Sequence, residues 1–137
     1  VKGCLLALLV CLPLRHLQVN SAFGYRLHPL TGSARFHEGV DLHARHDTVF
    51  AVLEGDVHRI AADPALGWYI VLRHGAVETV YGHLSQVWVT ASDTVTAGEP
   101  IGMTGATGRV TGEHLHFAVR YRQSFINPIK FLQALLR

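Results

Sequence analysis

His114-Leu115-His116-Phe117-Ala118-Val119 is the stretch that decides how this chain is read. Successive side chains of a β-strand point to opposite faces. Leu115, Phe117 and Val119 then fall on one side, and His114, His116 and Ala118 on the other. That alternation predicts a strand with one buried face. Its other face carries two imidazoles, each able to offer a neutral nitrogen to a metal or to carry a proton near neutral pH. The plainer alternative is a strand with a polar outer face.

A second constellation, His37-Glu38-Gly39-Val40-Asp41, sets an imidazole and a carboxylate four residues apart. In one extended segment both would share a face. A catalytic zinc takes three nitrogen or oxygen ligands from the protein and keeps one position open for water. His37, Asp41 and one histidine of the His114/His116 pair supply that count, and the residues alone leave open which of the two. Tyr81-Gly82-His83-Leu84-Ser85 adds a further histidine beside glycine. Hydrolysis needs a group that positions or deprotonates water and a donor for the developing oxyanion. His83 and the non-ligand member of the pair fit those roles. Read singly, His83 is more often a loop or packing residue.

Several co-linear motifs resemble the lysostaphin-type peptidoglycan endopeptidases, a family of zinc metallopeptidases. They are Ser21-Ala22-Phe23-Gly24-Tyr25-Arg26-Leu27-His28-Pro29, Thr31-Gly32, Phe36-His37-Glu38-Gly39-Val40-Asp41, Tyr81-Gly82-His83-Leu84-Ser85, Gly98-Glu99-Pro100-Ile101-Gly102, Thr107-Gly108, Thr111-Gly112-Glu113-His114-Leu115-His116-Phe117 and Asn127-Pro128. The likeness spans about residues 19 to 133. It implies one zinc per chain held by His37, Asp41 and His116, with His83 and His114 acting on the water and the oxyanion. It also implies a substrate in bacterial peptidoglycan, a stem or cross-link peptide, and a place outside the cytoplasm. One stretch departs from the pattern. After Asp41 the family runs through small residues, a proline and a glycine, whereas here it is Leu42-His43-Ala44-Arg45-His46-Asp47-Thr48. His43 and His46 are candidate extra ligands, with solvated loop residues the commoner reading.

At 137 residues the chain suits a single core. Thirteen glycines and 16% charged residues fit a turn-rich β domain. A net charge of +2 is too weak for a nucleic-acid reader, which shows a concentrated basic patch. A monomer is expected. Lys2 followed by Cys4-Leu5-Leu6-Ala7-Leu8-Leu9-Val10-Cys11-Leu12 resembles a secretory signal. The run is short for a membrane span. Residues 1–16 are accordingly read as an apolar N-terminal segment, a signal or the remnant of one, and the only route to a membrane. Residues 17–137 are read as the metallopeptidase domain. A buried N-terminal segment is the alternative. Cys4 and Cys11 are the only cysteines, so the domain proper holds no disulfide or cysteine–zinc framework.

The expected architecture is mostly β: an open antiparallel sheet or barrel-sandwich-like single domain with a short C-terminal helix. Val49 to Val57 reads as a strand pair broken near Glu54-Gly55. Tyr69 to Arg73 and Glu78 to Tyr81 flank a hairpin turn at His74-Gly75-Ala76. Trp88 to Thr96 reads as a loop with a short strand. Glycines from Gly98 to Gly112 mark turns rather than a phosphate loop, since no standard phosphate motif fits. Pro128 to Leu136 predicts a helix with Asn127 as its cap. Tyr25, Trp68, Tyr69 and Trp88 are candidate groove aromatics, each as readily core. Two rival functions compete with this reading. A non-catalytic regulator of wall hydrolases would lack some of the five site side chains, and all five are present. A carrier module, suggested by Val95 to Gly102, needs a lysine at a hairpin tip, but the only lysines are Lys2 and Lys130.

Overall fold

The strand predicted from the histidine alternation forms as β11 (His114–Tyr121), and its apolar side chains Leu115, Phe117 and Val119 are fully buried. The computed structural model describes residues 9–27 and 30–137. His28-Pro29 of the resembling motif and the first eight residues, including Cys4, lie outside them. Twelve strands and one helix are formed among the described residues. In chain order they are β1 (Val19–Ser21), β2 (Gly24–Leu27), β3 (Ala34–His37), β4 (Val40–His43), β5 (Thr48–Phe50), β6 (Gly55–Asp63), β7 (Gly67–His74), β8 (Val77–Val87), β9 (Thr94–Val95), β10 (Pro100–Thr104), β11, β12 (Ser124–Ile126) and α1 (Pro128–Leu135).

One sheet runs in the order β1-β4-β11-β8-β7-β6-β9, with β10 bridging β5 and β8 and β12 along β11. The hairpin β2-β3 stands apart as a two-stranded sheet. Every paired strand is antiparallel, and the main sheet is open, as the sequence predicts. The predicted hairpin forms between β7 and β8 over Gly75-Ala76, where Gly75 takes a φ of 68°. A left-handed φ of that kind is what glycine supplies to a tight turn. Val49 to Val57 does break as expected, but its halves do not pair with each other: β5 joins β10, while β6 continues to Asp63 between β7 and β9. The short-range pattern gave the break but carried no information on the long-range partner.

The core gathers Val40, Leu42, Ile70, Leu72, Tyr81, Leu84, Ile101, Leu115 and Phe117, each fully buried. Tyr81 keeps its hydroxyl satisfied there, accepting from Val52 N at 3.2 Å and sharing a 2.9 Å bond with the Thr79 hydroxyl. Burial pushes its phenol well above the usual range. Asn127 caps α1 by accepting from the backbone amides of Ile129 and Lys130, with Pro128 at the first helical position. Residues ahead of β1 also join the domain. Leu14 is 2% exposed, and the amides of Cys11 and Phe50 bond to Val52 O and Pro13 O at 2.9 Å. Among the described residues no helix is long and apolar enough to cross a membrane.

Candidate metal centre

β4 and β11 lie side by side with Asp41 opposite His116 and His43 opposite His114. Asp41 and His116 therefore project from one face of the sheet as cross-strand neighbours. Asp41 Oδ1 lies 3.2 Å from His116 Nδ1 and 3.2 Å from His37 Nε2. The ligand atoms of His37, Asp41 and His116 all lie within 4.8 Å of one another, as a metal ion would require.

His37 reaches this point by a route the sequence did not foresee. It ends β3, and Glu38-Gly39 bends the chain before β4 begins, so His37 and Asp41 do not share one extended segment. The bend needs a small residue. A Cβ at position 39 would lie 2.6 Å from Phe117 O and 2.9 Å from two atoms of the His116 ring. Once turned back, His37 donates Nδ1–H to Ala22 O at 3.0 Å, which fixes the tautomer and bares Nε2 toward Asp41.

His83 comes from β8 through a bulge. Tyr81 pairs with Ile70 and Leu84 with Trp68, so Gly82 and His83 together oppose the single residue Tyr69. His83 takes a φ of 62° there, a conformation that costs a side-chain-bearing residue roughly 1 kcal/mol or more and gathers at functional sites. A bulge re-aims a side chain in this way. The conformation is pinned by His83 N donating to Leu66 O at 2.7 Å and by Nδ1–H donating to Thr107 O at 2.8 Å. Gly82 lies cross-strand from His116, and a Cβ there would meet Leu66 Cδ2 at 3.2 Å and His116 Cβ at 3.4 Å.

The His83 and His114 rings stand edge to face with centroids 4.7 Å apart, and His83 lies 6.0 Å from His116. His114 donates Nδ1–H to Gly112 O at 3.1 Å and holds Nε2 3.5 Å from Asp41 Oδ1. Electrostatics follow from this crowding. Burial opposes the ionised Asp41, but the His116 and His37 rings against its oxygen and the nearby His114 outweigh it and hold the carboxyl well below the usual range. Burial pushes His83 down to about 4, against the pull of the Thr107 carbonyl, so the ring is neutral at pH 7.

All five sequence-predicted side chains thus meet at one place. His43 and His46 stay outside the group that could hold a metal ion, which consists of His37, Asp41 and His116 among the described residues. Two supports were not assigned from sequence. Thr107 fixes the bulge: its carbonyl holds His83, while its hydroxyl donates to Leu84 O at 2.7 Å and accepts from Trp68 N at 3.1 Å. Glu113, next to His114, accepts from His46 N and from the Thr104 hydroxyl, clamping the loop that departs from the family pattern. The Thr107-Gly108 motif was the available signal for the first.

A groove of about 630 Å3 opens beside the centre, lined by His37 and His116 and continuing over Tyr69, Val80, Arg59 and Arg120. Of the four candidate aromatics only Tyr69 lines it, joined by Phe36 and Phe125, while Tyr25, Trp68 and Trp88 are exposed elsewhere.

Residues 35–128 match the model described as Peptidase family M23. The chain is 39% identical over 119 residues to the DD-carboxypeptidase/endopeptidase Mpg of Neisseria meningitidis, covering 85% of this chain and 27% of that protein. It is thus similar to about a quarter of the length of such curated relatives. Among solved structures, a zinc containing peptidase from Vibrio cholerae superposes with a TM-score of 0.76 at 35% identity, over 80% of this chain and 35% of that one. The catalytic domain of the antimicrobial peptidase lysostaphin from Staphylococcus simulans gives 0.77 at 28% identity, over 85% and 92%.

Proposed function

Because the chain belongs to peptidase family M23, we propose that it is a zinc-dependent endopeptidase that cuts peptide cross-links or stems of bacterial peptidoglycan, outside the cytoplasm. The observation that carries the reading is the convergence of His37 Nε2, Asp41 Oδ1 and His116 Nδ1 beside the His83/His114 pair. The donor set fits zinc. Two ligands each about 2.0–2.1 Å from zinc and spread by a tetrahedral angle stand about 3.3–3.4 Å apart. The two Asp41–histidine spacings are 3.2 Å. The relatives' names point to a bond in a D-amino-acid cross-link. The non-catalytic alternative has no comparable support, because the whole set of site side chains is in place.

When bound, zinc supplies Lewis acidity to the scissile carbonyl and lowers the pKa of water toward 7. The protein's own residues do the rest. With their Nδ1–H groups committed to backbone carbonyls, His83 and His114 keep Nε2 as the free proton-accepting atom. One ring takes the proton of the attacking water as the new C–O bond forms. The imidazolium so formed donates to the developing oxyanion beside the second ring, and it passes its proton to the leaving amine as the C–N bond breaks. The bulge and the Thr107 carbonyl hold His83 in place before substrate arrives, so its orientation costs nothing during the reaction.

Digestion of purified cross-linked peptidoglycan, followed by mass spectrometry of the fragments with and without a chelator, tests this. Chelator-sensitive release of peptides cut at one defined bond is expected. Intact cross-links with the zinc-loaded protein would rule the reading out.

A further inference from the structure

The sheet face that carries Asp41 and His116 continues past them in both directions. Toward β6 it becomes the groove already described. Toward β1 it continues through His43, which lies two residues beyond Asp41 on the same strand face and pairs with His114 across β11. His43 lines a second concavity of about 300 Å3 together with Arg15, His16, Gln18 and His46. Its wall is the segment ahead of β1, fastened by Phe50 N to Pro13 O at 2.9 Å and by His43 N to Gln18 O at 2.8 Å. Arg15 rests its guanidinium 5.4 Å from the Phe50 ring centroid. Buried Leu14 also borders the space.

The lining holds one guanidinium, three imidazoles and one carboxylate. Among the described residues the side chains of Arg15, His16, Gln18, His43 and His46 make no hydrogen bond or ion pair to protein. The one carboxylate in the lining, Asp47, already accepts from Arg45 N at 2.9 Å. Arg15 makes no ion pair with it, so the space offers an unpaired guanidinium and uncommitted side-chain donors; through His43 it adjoins His114, at the opposite end of β11 from the groove residues Ala118 and Arg120. A peptide laid along β11 from the groove across the metal group would reach this end.

We infer that this concavity is a second substrate subsite, which holds a carboxylate of the peptide on the far side of the scissile bond from the groove. Arg15 and His43 are its main binding residues. This rests on the proposed peptidase function and narrows the substrate to peptides bearing a free carboxylate near the cleaved bond. The residues that build it fall in the segment ahead of β1 and in the loop that departs from the family pattern.

The test compares a synthetic D-alanyl cross-linked peptide ending in a free carboxylate with its C-terminal amide. Affinity is measured by calorimetry on the zinc-loaded His83→Ala protein, where turnover is suppressed. The acid should bind about tenfold tighter than the amide, as one charge-assisted contact provides. Adding Arg15→Gln should bring that ratio close to one, Arg15→Lys should leave part of it, and His43→Ala should reduce it. An acid-to-amide ratio near one in the starting protein, or a ratio that survives Arg15→Gln, overturns the subsite. If the wild-type protein cleaves both peptides equally well, the subsite falls and the peptidase function stands. If neither peptide is bound or cleaved, both fall together.

Discussion

Gly39→Ala is a single-methyl probe of the whole centre. Gly39 does not sit at a left-handed φ, so alanine meets no backbone penalty, and the effect is purely steric. The new Cβ would lie 2.6 Å from Phe117 O and 2.9 Å from Cε1 and Nε2 of His116, whereas real Cβ contacts stay beyond 3.0 Å. Relief therefore needs a shift of about 0.4 Å between the bend and β11, where Phe117 pairs with Val40. A packed core charges about 1–3 kcal/mol for such an insertion. Taking about 2 kcal/mol and roughly 4 °C per kcal/mol for a domain this size, Tm falls by about 8 °C. The His116 ring moves with the bend, and displacing a ligand's support lowers metal affinity about 10- to 100-fold. Thermal melts and zinc competition against a chromophoric chelator read both effects. Gly112→Ala is the control, since a Cβ there meets nothing within 4 Å. Wild-type affinity and Tm in Gly39→Ala would refute the reasoning, because the bend would then not hold His116 in place.

His83→Ala and His114→Ala should each lower turnover by about two to three decades while zinc stays bound, as measured by kinetics and metal content. In the metal-free protein, His83 has a folded pKa of about 4 against about 6.5 unfolded, so the unfolded chain binds the proton first. Its contribution is whole above pH 6.5 and is lost as pH falls toward 4. Wild-type protein should therefore lose about 2 kcal/mol more than His83→Gln between pH 7 and pH 5, read by denaturant titration. Thr107→Val removes the hydroxyl bonds to Leu84 O and Trp68 N, and should cost about 2 kcal/mol in stability and lower kcat more than KM. Asn127→Ala should cost about 1 kcal/mol through the lost α1 cap, with metal affinity unchanged.

Much of the fold and the site was legible because it rests on short-range alternation. Leu115, Phe117 and Val119 announced β11, and the same period put His114 and His116 on its other face. The Gly75-Ala76 hairpin and the Asn127 cap are equally local. What stayed hidden depends on distant partners or on backbone atoms. The pairing of β5 with β10 leaves no mark in the sequence of either strand. The bend at Glu38-Gly39 is set by the closeness of Phe117 O, and the bulge at Gly82-His83 by the pairing with β7. The acceptors that fix the histidine tautomers, Ala22 O, Thr107 O and Gly112 O, are carbonyls that any residue would carry. The resemblance supplied the choice of His116 over His114, which alternation alone left open.

Zinc stoichiometry of the wild-type protein beside His37→Ala, Asp41→Asn and His116→Ala, by equilibrium dialysis and elemental analysis, tests the central claim most directly. One zinc per wild-type chain and its loss from each variant is the predicted result. A variant that keeps full occupancy, or a wild-type chain that takes up none, would contradict it.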